Sequence, residues 1–308
     1  GDSMKSLLES TINECRKYTT EGHVATYIPQ LATADANDFG ISLMPENKAA
    51  VSAGDHNKPF TMQSVVKPMI LLLALMDSGE ERVHDLVGVE STGKPFDAFN
   101  YSDRALKRDH INPMVNAGAI ALCTLIKGDT YKDKFSRLLE LTRKMSGNPR
   151  LSVDEDVFLS ETETGNKNRA LAYMLRAYGI IEDGVEEVLY CYFRACSILV
   201  TADDLAHIGL VLAHKGKDPV TEEQIVAPEY VRYINAVLMT CGMYDGSGEF
   251  ALRVGVPAKS GVGGGIMAVV PGKMGIGLYS PALDGKGNSL AGKKALEILS
   301  HELDLSIF

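Results

Sequence analysis

The spacing of apolar residues changes from helical to strand-like in the first part of the chain. From Leu7 to Tyr18 the apolar positions recur every three or four residues, which is typical of an amphipathic helix. Phe39 to Met44 and Ala49 to Ala53 are apolar segments of strand length, and Pro45-Glu46-Asn47-Lys48 between them supplies turn residues. The pattern therefore predicts a helix followed by a β-hairpin.

The middle of the chain has the pattern of packed helices. The unbroken apolar run from Met69 to Met76 predicts a buried helix, and from about Glu80 to Val237 the spacing is largely helical. The clearest apolar segments in this part are Met114 to Leu125, Phe135 to Met145, Arg169 to Tyr178, Val185 to Leu199 and Ala202 to Leu212.

Strand-like segments return near the end of the chain. Phe250 to Val254, Gly265 to Val270 and Gly275 to Ser280 predict strands, with a Pro271-Gly272 turn between the last two. A final helix is predicted from about Ser289 to Leu303.

Strands at both ends and helices between them predict an α+β fold. One antiparallel sheet, built from the N- and C-terminal strands and covered by the terminal helices, would bury both strand sets. We expect this sheet in an α/β lobe of residues 4–62 and 245–308, beside a mostly helical lobe of residues 63–244. A cleft between two such lobes is a usual place for a small-molecule site.

Composition narrows the classes of function. The chain has 308 residues, 45% of them hydrophobic and 23% charged, which is typical of globular proteins. Its net charge of −9 and the lack of a basic run argue against nucleic acid as a partner. No apolar segment approaches the roughly 20 residues of a membrane span, so we expect no membrane partner.

The cysteine and histidine residues indicate neither disulfides nor a metal site. Five cysteines form no Cys-x-x-Cys pair and have apolar neighbours, which predicts reduced, packed thiols. With no evident secretory signal, they predict a cytoplasmic protein. Cys196 as a nucleophile is the less favoured alternative to core packing. The histidines lack metal-binding spacing such as His-Glu-x-x-His, and we expect no metal or organic cofactor.

Ser64 and Lys67 form a candidate nucleophile and base ahead of the Met69 to Met76 run. Their spacing would place both side chains on one face of the first helical turn, with Cβ atoms roughly 5–6 Å apart. A serine hydroxyl needs a group that takes its proton. Burial and a helix N-terminus both favour the neutral amine that could do so. The alternative is a helix cap followed by a surface lysine.

A second motif, Lys259-Ser260-Gly261, strengthens the first. Serine β-lactamases and penicillin-binding proteins combine Ser-x-x-Lys with a later Lys-[Ser/Thr]-Gly. In those enzymes the second motif lies on a strand at the edge of the active site, and its hydroxyl binds a substrate carboxylate. The two motifs occur here in the same order, which favours a β-lactamase-like fold.

Further segments make the resemblance specific, and the chain is similar to the serine-dependent glutaminase family from about Gly22 to Gly292. The segments that carry it are Tyr27-Ile28-Pro29-Gln30-Leu31-Ala32, Gln63-Ser64-Val65-Val66-Lys67, Asn112-Pro113-Met114-Val115-Asn116-Ala117-Gly118-Ala119, Asn168-Arg169, Tyr192-Phe193-Arg194-Ala195-Cys196-Ser197, Cys241-Gly242-Met243-Tyr244 and Pro257-Ala258-Lys259-Ser260-Gly261-Val262-Gly263-Gly264. The resemblance implies hydrolysis of L-glutamine to L-glutamate and ammonia through a serine acyl-enzyme, in a homodimer or homotetramer.

The resemblance also implies roles for individual residues in catalysis. Ser64 would be the nucleophile and Lys67 its activator. The backbone N–H groups of Ser64 and Val262 would form the oxyanion hole. Tyr244 and Tyr192 would lie at the site, Tyr244 as a proton relay. By sequence alone, Tyr244 is a turn residue and Tyr192 a core residue.

A second set of residues would bind the substrate. Glu161 would accept the α-ammonium group of glutamine, while Asn116 and Asn168 would supply amide donors. Gln63, Tyr27 and Lys259 would line the same pocket, together with Ser64, Tyr192, Tyr244 and Val262. If the resemblance to the family is left out, the sequence predicts that Glu161 and Glu163 lie in a solvated acidic turn.

Two other functions compete with this prediction. A related penicillin hydrolase or esterase would keep Ser64 and Lys67 and change its substrate. The sequence has no Ser-Asp-Asn motif of the β-lactamase type, since Ser102-Asp103-Arg104 matches it poorly, which argues against antibiotic hydrolysis. A non-catalytic glutamine-binding protein is the other alternative, and the presence of every expected site residue argues against it.

Overall fold

The computed structural model describes residues 2–90 and 111–308. The helices are α1 (Asp2–Cys15), α2 (Pro29–Ala32), α3 (Lys67–Leu86), α4 (Asn116–Cys123), α5 (Tyr131–Ser146), α6 (Glu155–Thr164), α7 (Asn166–Ala177), α8 (Val185–Cys196), α9 (Ala202–Ala213), α10 (Pro228–Cys241), α11 (Ser247–Arg253) and α12 (Leu290–Leu303). The strands are β1 (Gly40–Pro45), β2 (Val51–Gly54), β3 (Phe60–Thr61), β4 (Leu199–Val200), β5 (Ala258–Ser260), β6 (Gly265–Val270) and β7 (Met274–Tyr279). Short 3₁₀ helices cover Arg16–Thr20, Gln63–Val66 and Tyr244–Gly246.

The main sheet joins the two ends of the chain. Within residues 2–90 and 111–308 it has five strands in the order β2-β1-β7-β6-β5, and every neighbouring pair is antiparallel. Strand β1 pairs directly with β7, so that Gly40 lies opposite Tyr279 and Pro45 opposite Met274. The predicted antiparallel sheet of N- and C-terminal strands is therefore confirmed, as is the β1–β2 hairpin.

Each face of this sheet packs against a different set of helices. Along β6, Ile266 and Ala268 pack into a core shared with α1 and α12, whereas Met267 and Val269 pack into the larger core that contains α9. This alternation is the expected consequence of side chains pointing to opposite faces of a strand. Helix α9 lies within the span assigned to the helical lobe, yet it contacts β1, β6 and β7. The two-lobe division stays a prediction.

The prediction of a strand from Phe250 to Val254 is wrong, because this segment belongs to helix α11 and the turn after it. In a strand, Phe250, Leu252 and Val254 would share one buried face. In the structure Phe250 and Val254 are buried, as a four-residue helical spacing allows, while Leu252 is 80% exposed. A five-residue apolar run cannot distinguish these two periodicities.

The segments around Ser64 and Leu199 also differ from the prediction. Helix α8 ends at Cys196, and Leu199–Val200 instead pairs with Phe60–Thr61 as a small antiparallel sheet. Ser64 lies in the 3₁₀ helix that follows this pair, not in the first α-helical turn. Ser102-Asp103-Arg104 lies outside the described residues. Among the described residues, no helix is both long and apolar enough to cross a membrane.

Helix α9 approaches strand β7 at a position without a side chain. A Cβ atom built on Gly277 would lie 1.9 Å from the carbonyl oxygen of Ala202 in α9. The obstacle is helix backbone, which cannot rotate away as a flexible side chain could. The close contact between α9 and the sheet therefore requires glycine at this position.

We predict that Gly277→Ala lowers the free energy of unfolding by about 3 kcal/mol, because the methyl group forces α9 away from the sheet. Urea unfolding of both proteins measures the difference. Gly248→Ala is the matched control, since nothing lies within 4 Å of a Cβ atom at Gly248 in α11. Equal stability of Gly277→Ala and the parent would contradict the packing argument.

Candidate active site

Ser64 and Lys67 lie at the junction between the β3–β4 pair and helix α3. The N–H of Met62 donates to the carbonyl of Ile198 at 2.8 Å, which anchors the segment just before Ser64. Gln63 has a φ of +50°, a left-handed conformation that a non-glycine residue adopts only when its surroundings hold it. The three-residue spacing brings Lys67 Nζ to 3.0 Å from Ser64 Oγ, and both residues are buried.

Asn116, near the start of α4, connects this pair to three other helices. Its Oδ1 accepts hydrogen bonds from Lys67 Nζ at 2.7 Å and from the Tyr192 hydroxyl at 3.0 Å. Its Nδ2 donates to Asn168 Oδ1 in α7 at 3.0 Å. Because the lysine and tyrosine groups both donate, the oxygen of the amide must face them. The network therefore fixes the orientation of Asn116 and joins α3, α4, α7 and α8.

A pocket of about 360 Å³ lies beside this network. Four of the predicted binding residues line it: Tyr27, Asn116, Glu161 and Asn168. The other lining residues, which were not predicted from the sequence, are Thr164, Gly165, Asn166 and Lys167. The spacing of the two predicted residues could have indicated them. Glu161 and Asn168 are seven residues apart on either side of the α6–α7 junction, so the residues between them lie at the same pocket.

Glu161 is a buried carboxyl group in this pocket. It lies in helix α6 and is 6% exposed, whereas Glu163 two residues later is exposed. The hydroxyl of Tyr27 is 2.5 Å from Glu161 Oε1 and 3.2 Å from Gln63 Oε1, although half of the Tyr27 surface faces solvent. Burial raises the pKa of Glu161 to about 7, against the opposing effect of the Tyr27 hydrogen bond. The solvated acidic turn, the alternative from sequence, is therefore wrong for Glu161.

Lys259 and Tyr244 form a second buried group. Lys259, on β5 as the motif predicts, is fully buried, and its Nζ lies 4.2 Å from the centroid of the Tyr244 ring. Burial, and then the charge of Lys67, lower the pKa of Lys259 well below its ordinary value. Strand β5 contacts the 3₁₀ helix that carries Ser64, which brings Lys259 and the Tyr244 ring near the Ser64–Lys67 pair. Lys259 is not among the residues that line the 360 Å³ pocket.

Val262 lies in the β5–β6 turn, directly beside the segment that carries Ser64. A Cβ atom built on Gly261 would be 2.7 Å from the Met62 carbonyl oxygen and 3.3 Å from the Ser64 nitrogen. Only glycine allows two backbone segments to approach so closely. The Val262 residue itself packs with the Ile28, Leu31 and Val157 cluster and lines a separate cavity of about 250 Å³. The Val262 side chain therefore packs with this cluster, while the preceding residue, Gly261, lies against the segment that carries Ser64.

Comparison with known proteins identifies the family. The glutaminase family model matches residues 22–308. Glutaminase 2 of Clostridium perfringens is 48% identical over 305 residues, which cover 99% of this chain and 100% of that protein. The glutaminase of Clostridium tetani is 50% identical with the same coverage. This chain belongs to the glutaminase family.

Solved glutaminase structures have the same fold. A covalent complex of a Bacillus subtilis glutaminase with 5-oxo-L-norleucine has a TM-score of 0.89 and 38% identity, and covers 98% of this chain and 99% of that chain. The probable glutaminase ybaS has a TM-score of 0.92 and 34% identity, with 98% of each chain covered. The predicted β-lactamase-like α+β fold and the prediction of a glutaminase-type enzyme are therefore confirmed.

The raised pKa of Glu161 predicts a pH-dependent effect on glutaminase stability. The folded protein holds the proton more tightly than the unfolded chain, so the parent loses stability as the pH rises from about 4.5 through 7. Glu161→Gln keeps an acceptor for Tyr27 and removes the titration. We expect its stability relative to the parent to increase by on the order of 2–3 kcal/mol between pH 4.5 and pH 8.5.

Urea unfolding of the parent and Glu161→Gln at both pH values measures this difference. Glu163→Gln, the same substitution at an exposed neighbour, is the control. A stability difference for Glu161→Gln that does not vary with pH would show that the Glu161 carboxyl group has no raised pKa.

Proposed function

We propose that this glutaminase hydrolyses L-glutamine to L-glutamate and ammonia through an ester on Ser64. The observation that carries the proposal is the hydrogen-bonded chain Ser64–Lys67–Asn116, whose last member lines a pocket that also contains the buried carboxyl group of Glu161. Ser64 and Lys67 do not line this pocket themselves, but their hydrogen bonds to Asn116 connect a candidate nucleophile and base to a space that also contains a candidate anion for an amino-acid ammonium group.

Glutamine would bind through its zwitterionic head and its amide. The Glu161 carboxylate would pair with the α-ammonium group, because a buried positive charge requires a nearby anion. Asn116 and Asn168 would offer amide hydrogen bonds to the carboxylate and side-chain amide of the substrate. Tyr27 and Gln63 support this arrangement, since the Tyr27 hydroxyl contacts both Glu161 and Gln63.

Acylation would begin with a neutral Lys67. Its Nζ would donate to Asn116 Oδ1 and take the proton of Ser64, whose Oγ lies 3.0 Å away. Ser64 Oγ would then bond to the side-chain amide carbon of glutamine. The covalent complex that the Bacillus subtilis relative forms on reaction with 6-diazo-5-oxo-L-norleucine supports a nucleophile of this kind.

The negative charge that develops on the amide oxygen would be held by backbone N–H groups of Ser64 and Val262. The close approach of the Gly261 backbone to the Ser64 nitrogen supports this pairing. A pair of such donors, fixed before the reaction, typically contributes a few kcal/mol of transition-state stabilisation.

Ammonia would leave when the C–N bond breaks and its nitrogen takes the proton held by Lys67, directly or through Tyr244. Water would then attack the ester, lose its proton to Lys67 or a tyrosine, and return Ser64 Oγ to the hydroxyl form.

Tyr192 would act by holding Asn116, and Lys259 by setting the potential around Tyr244. The cytoplasmic location and the homodimer or homotetramer stay predictions.

We predict that Ser64→Ala lowers kcat for L-glutamine by about 10⁴-fold or more while glutamine still binds, because the variant lacks the nucleophile alone. Release of glutamate and ammonia in equal amounts measures turnover, with L-asparagine as a competing substrate, and the glutamine-dependent rise in melting temperature measures binding. Ser10→Ala, on the exposed face of α1, is the control.

Labelling adds a direct test of the ester. Exposure to 6-diazo-5-oxo-L-norleucine should add one adduct to the Ser64 peptide of the parent and none to Ser64→Ala, as measured by mass spectrometry. Normal glutamine turnover by Ser64→Ala would overturn the proposal.

We predict that Glu161→Gln raises KM for L-glutamine about 100-fold, since the bound α-ammonium group loses its counter-charge. Glutaramate, which has the amide and carboxylate of glutamine but no α-ammonium group, is the matched probe. The substitution should change kcat/KM for glutaramate less than about threefold. Equal losses for both substrates would contradict the pairing of Glu161 with the ammonium group, and Glu163→Gln should alter neither.

A further inference from the structure

A fully buried asparagine lies just outside the residues that the resemblance assigns to the site. Asn288, in the loop between β7 and α12, has no solvent-exposed surface. Its Oδ1 accepts a hydrogen bond from Ser260 Oγ at 2.5 Å, and its Nδ2 donates to the Met243 carbonyl oxygen at 3.0 Å. Ser260 and Met243 are the sequence neighbours of Lys259 and Tyr244.

The orientation of the Asn288 amide is fixed by chemistry. The carbonyl oxygen of Met243 can only accept, so it must face Nδ2, and Oδ1 then remains for the hydroxyl of Ser260. An apolar residue of the same size would leave that hydroxyl without its acceptor and the carbonyl with one donor fewer. The polar atoms of Asn288 thus connect β5 to the turn that carries Tyr244.

This turn needs such support, because Tyr244 has a left-handed backbone. Its φ is +56°, which is unfavourable for a residue with a side chain and persists only when contacts around it hold it. The Met243 carbonyl accepts from Gly246 N at 3.1 Å as well as from Asn288. Ser247 Oγ accepts from Met243 N at 3.0 Å and donates to the Tyr244 carbonyl at 2.8 Å. Hydrogen bonds therefore hold the backbone on both sides of Tyr244.

The use of Ser260 departs from the lactamase-type pattern. In those enzymes the hydroxyl of Lys-[Ser/Thr]-Gly contacts a substrate carboxylate. Here the Ser260 side chain is fully buried and its hydroxyl donates to Asn288. The motif therefore makes internal contacts in this structure: Lys259 lies against the Tyr244 ring, and Ser260 bonds to Asn288.

The loop that carries Asn288 is itself held in place. The backbone N–H of Asn288 donates to Asp284 Oδ1 at 3.1 Å, and its carbonyl accepts from the Asp284 N–H at 2.8 Å. The other carboxylate oxygen of Asp284 pairs with Lys293 in α12. Asn288 is therefore a rigid connection from α12 to the Tyr244 turn.

We infer that Asn288 is a positioning residue, which holds Tyr244 over Lys259 at the place where Tyr244 relays a proton during catalysis. This inference rests on the proposed function, in which Tyr244 is that relay. Asn288 does not contact the pocket that would hold glutamine, so its loss should slow the reaction and leave substrate binding largely intact.

The test is a double-mutant cycle with Tyr244→Phe. Asn288→Ala should lower kcat for L-glutamine about 10- to 100-fold through misplacement of the tyrosine, and change KM less than about threefold. In the Tyr244→Phe background, Asn288→Ala should lower kcat less than about threefold further, because the group that it positions is already gone. Losses that multiply would overturn the inference and assign Asn288 a general structural role.

Two measurements separate positioning from unfolding. Exhaustive labelling with 6-diazo-5-oxo-L-norleucine counts the competent sites, so kcat is expressed per labelled serine. Asn288→Asp keeps the size of the side chain and the acceptor for Ser260 while it loses the donor to Met243, and should show the same non-additivity. Asn47→Asp, on the exposed β1–β2 turn, is the control.

The same cycle distinguishes a failed inference from a failed function. Ser64→Ala with normal turnover overturns the acyl-enzyme mechanism. Tyr244→Phe with normal kcat overturns the relay, and the role of Asn288 with it. If Tyr244→Phe lowers kcat but Asn288→Ala has a normal kcat, only the role of Asn288 is overturned.

Discussion

The site depends on a single neutral acceptor, the side-chain oxygen of Asn116. It holds the Lys67 amine and the Tyr192 hydroxyl together. A carboxylate in the same place would also align the amine, but its charge would favour the protonated form. An amide oxygen orients the lysine without that electrostatic effect. The neutral partner is thus compatible with the proposed mechanism, in which Lys67 exchanges a proton with Ser64.

Burial affects the other charged groups of the site in a consistent way. It raises the pKa of Glu161 and lowers that of Lys259, so both shifts favour the uncharged form. A ligand with its own ammonium group would restore the carboxylate of Glu161 when it binds. In the proposed function, recognition of the substrate and protonation of Glu161 would therefore be linked through one side chain.

Local pattern was sufficient to predict much of the fold. Strand-length apolar segments with turns between them indicated the hairpin and the β6–β7 pair, and long apolar runs indicated the helices. The pattern failed for Phe250 to Val254, where the segment is too short for its periodicity to be decided. It also failed for Leu199–Val200, since pairing with Phe60–Thr61 depends on a contact between residues far apart in the chain.

The site was predictable only where its chemistry has a sequence motif. Ser64, Lys67 and Lys259 lie in motifs, and the resemblance supplied Glu161 and Asn168. Thr164 to Lys167 and Asn288 have no motif of their own. The contacts of Asn288 reach 28 residues back to Ser260 and 45 residues back to Met243, a relation that only the folded chain makes visible.

The pairing of β1 with β7 has a consequence for the order in which the protein assembles. Synthesis on the ribosome would complete Ser64, Lys67, Asn116 and Glu161 well before the strands that place Val262 beside Ser64. More than 200 residues must be synthesised after β1 before its partner β7 exists. Pairing over such sequence distances is slow. In the proposed mechanism, a nascent chain would therefore have its nucleophile long before its oxyanion hole, and activity would appear only when the sheet closes.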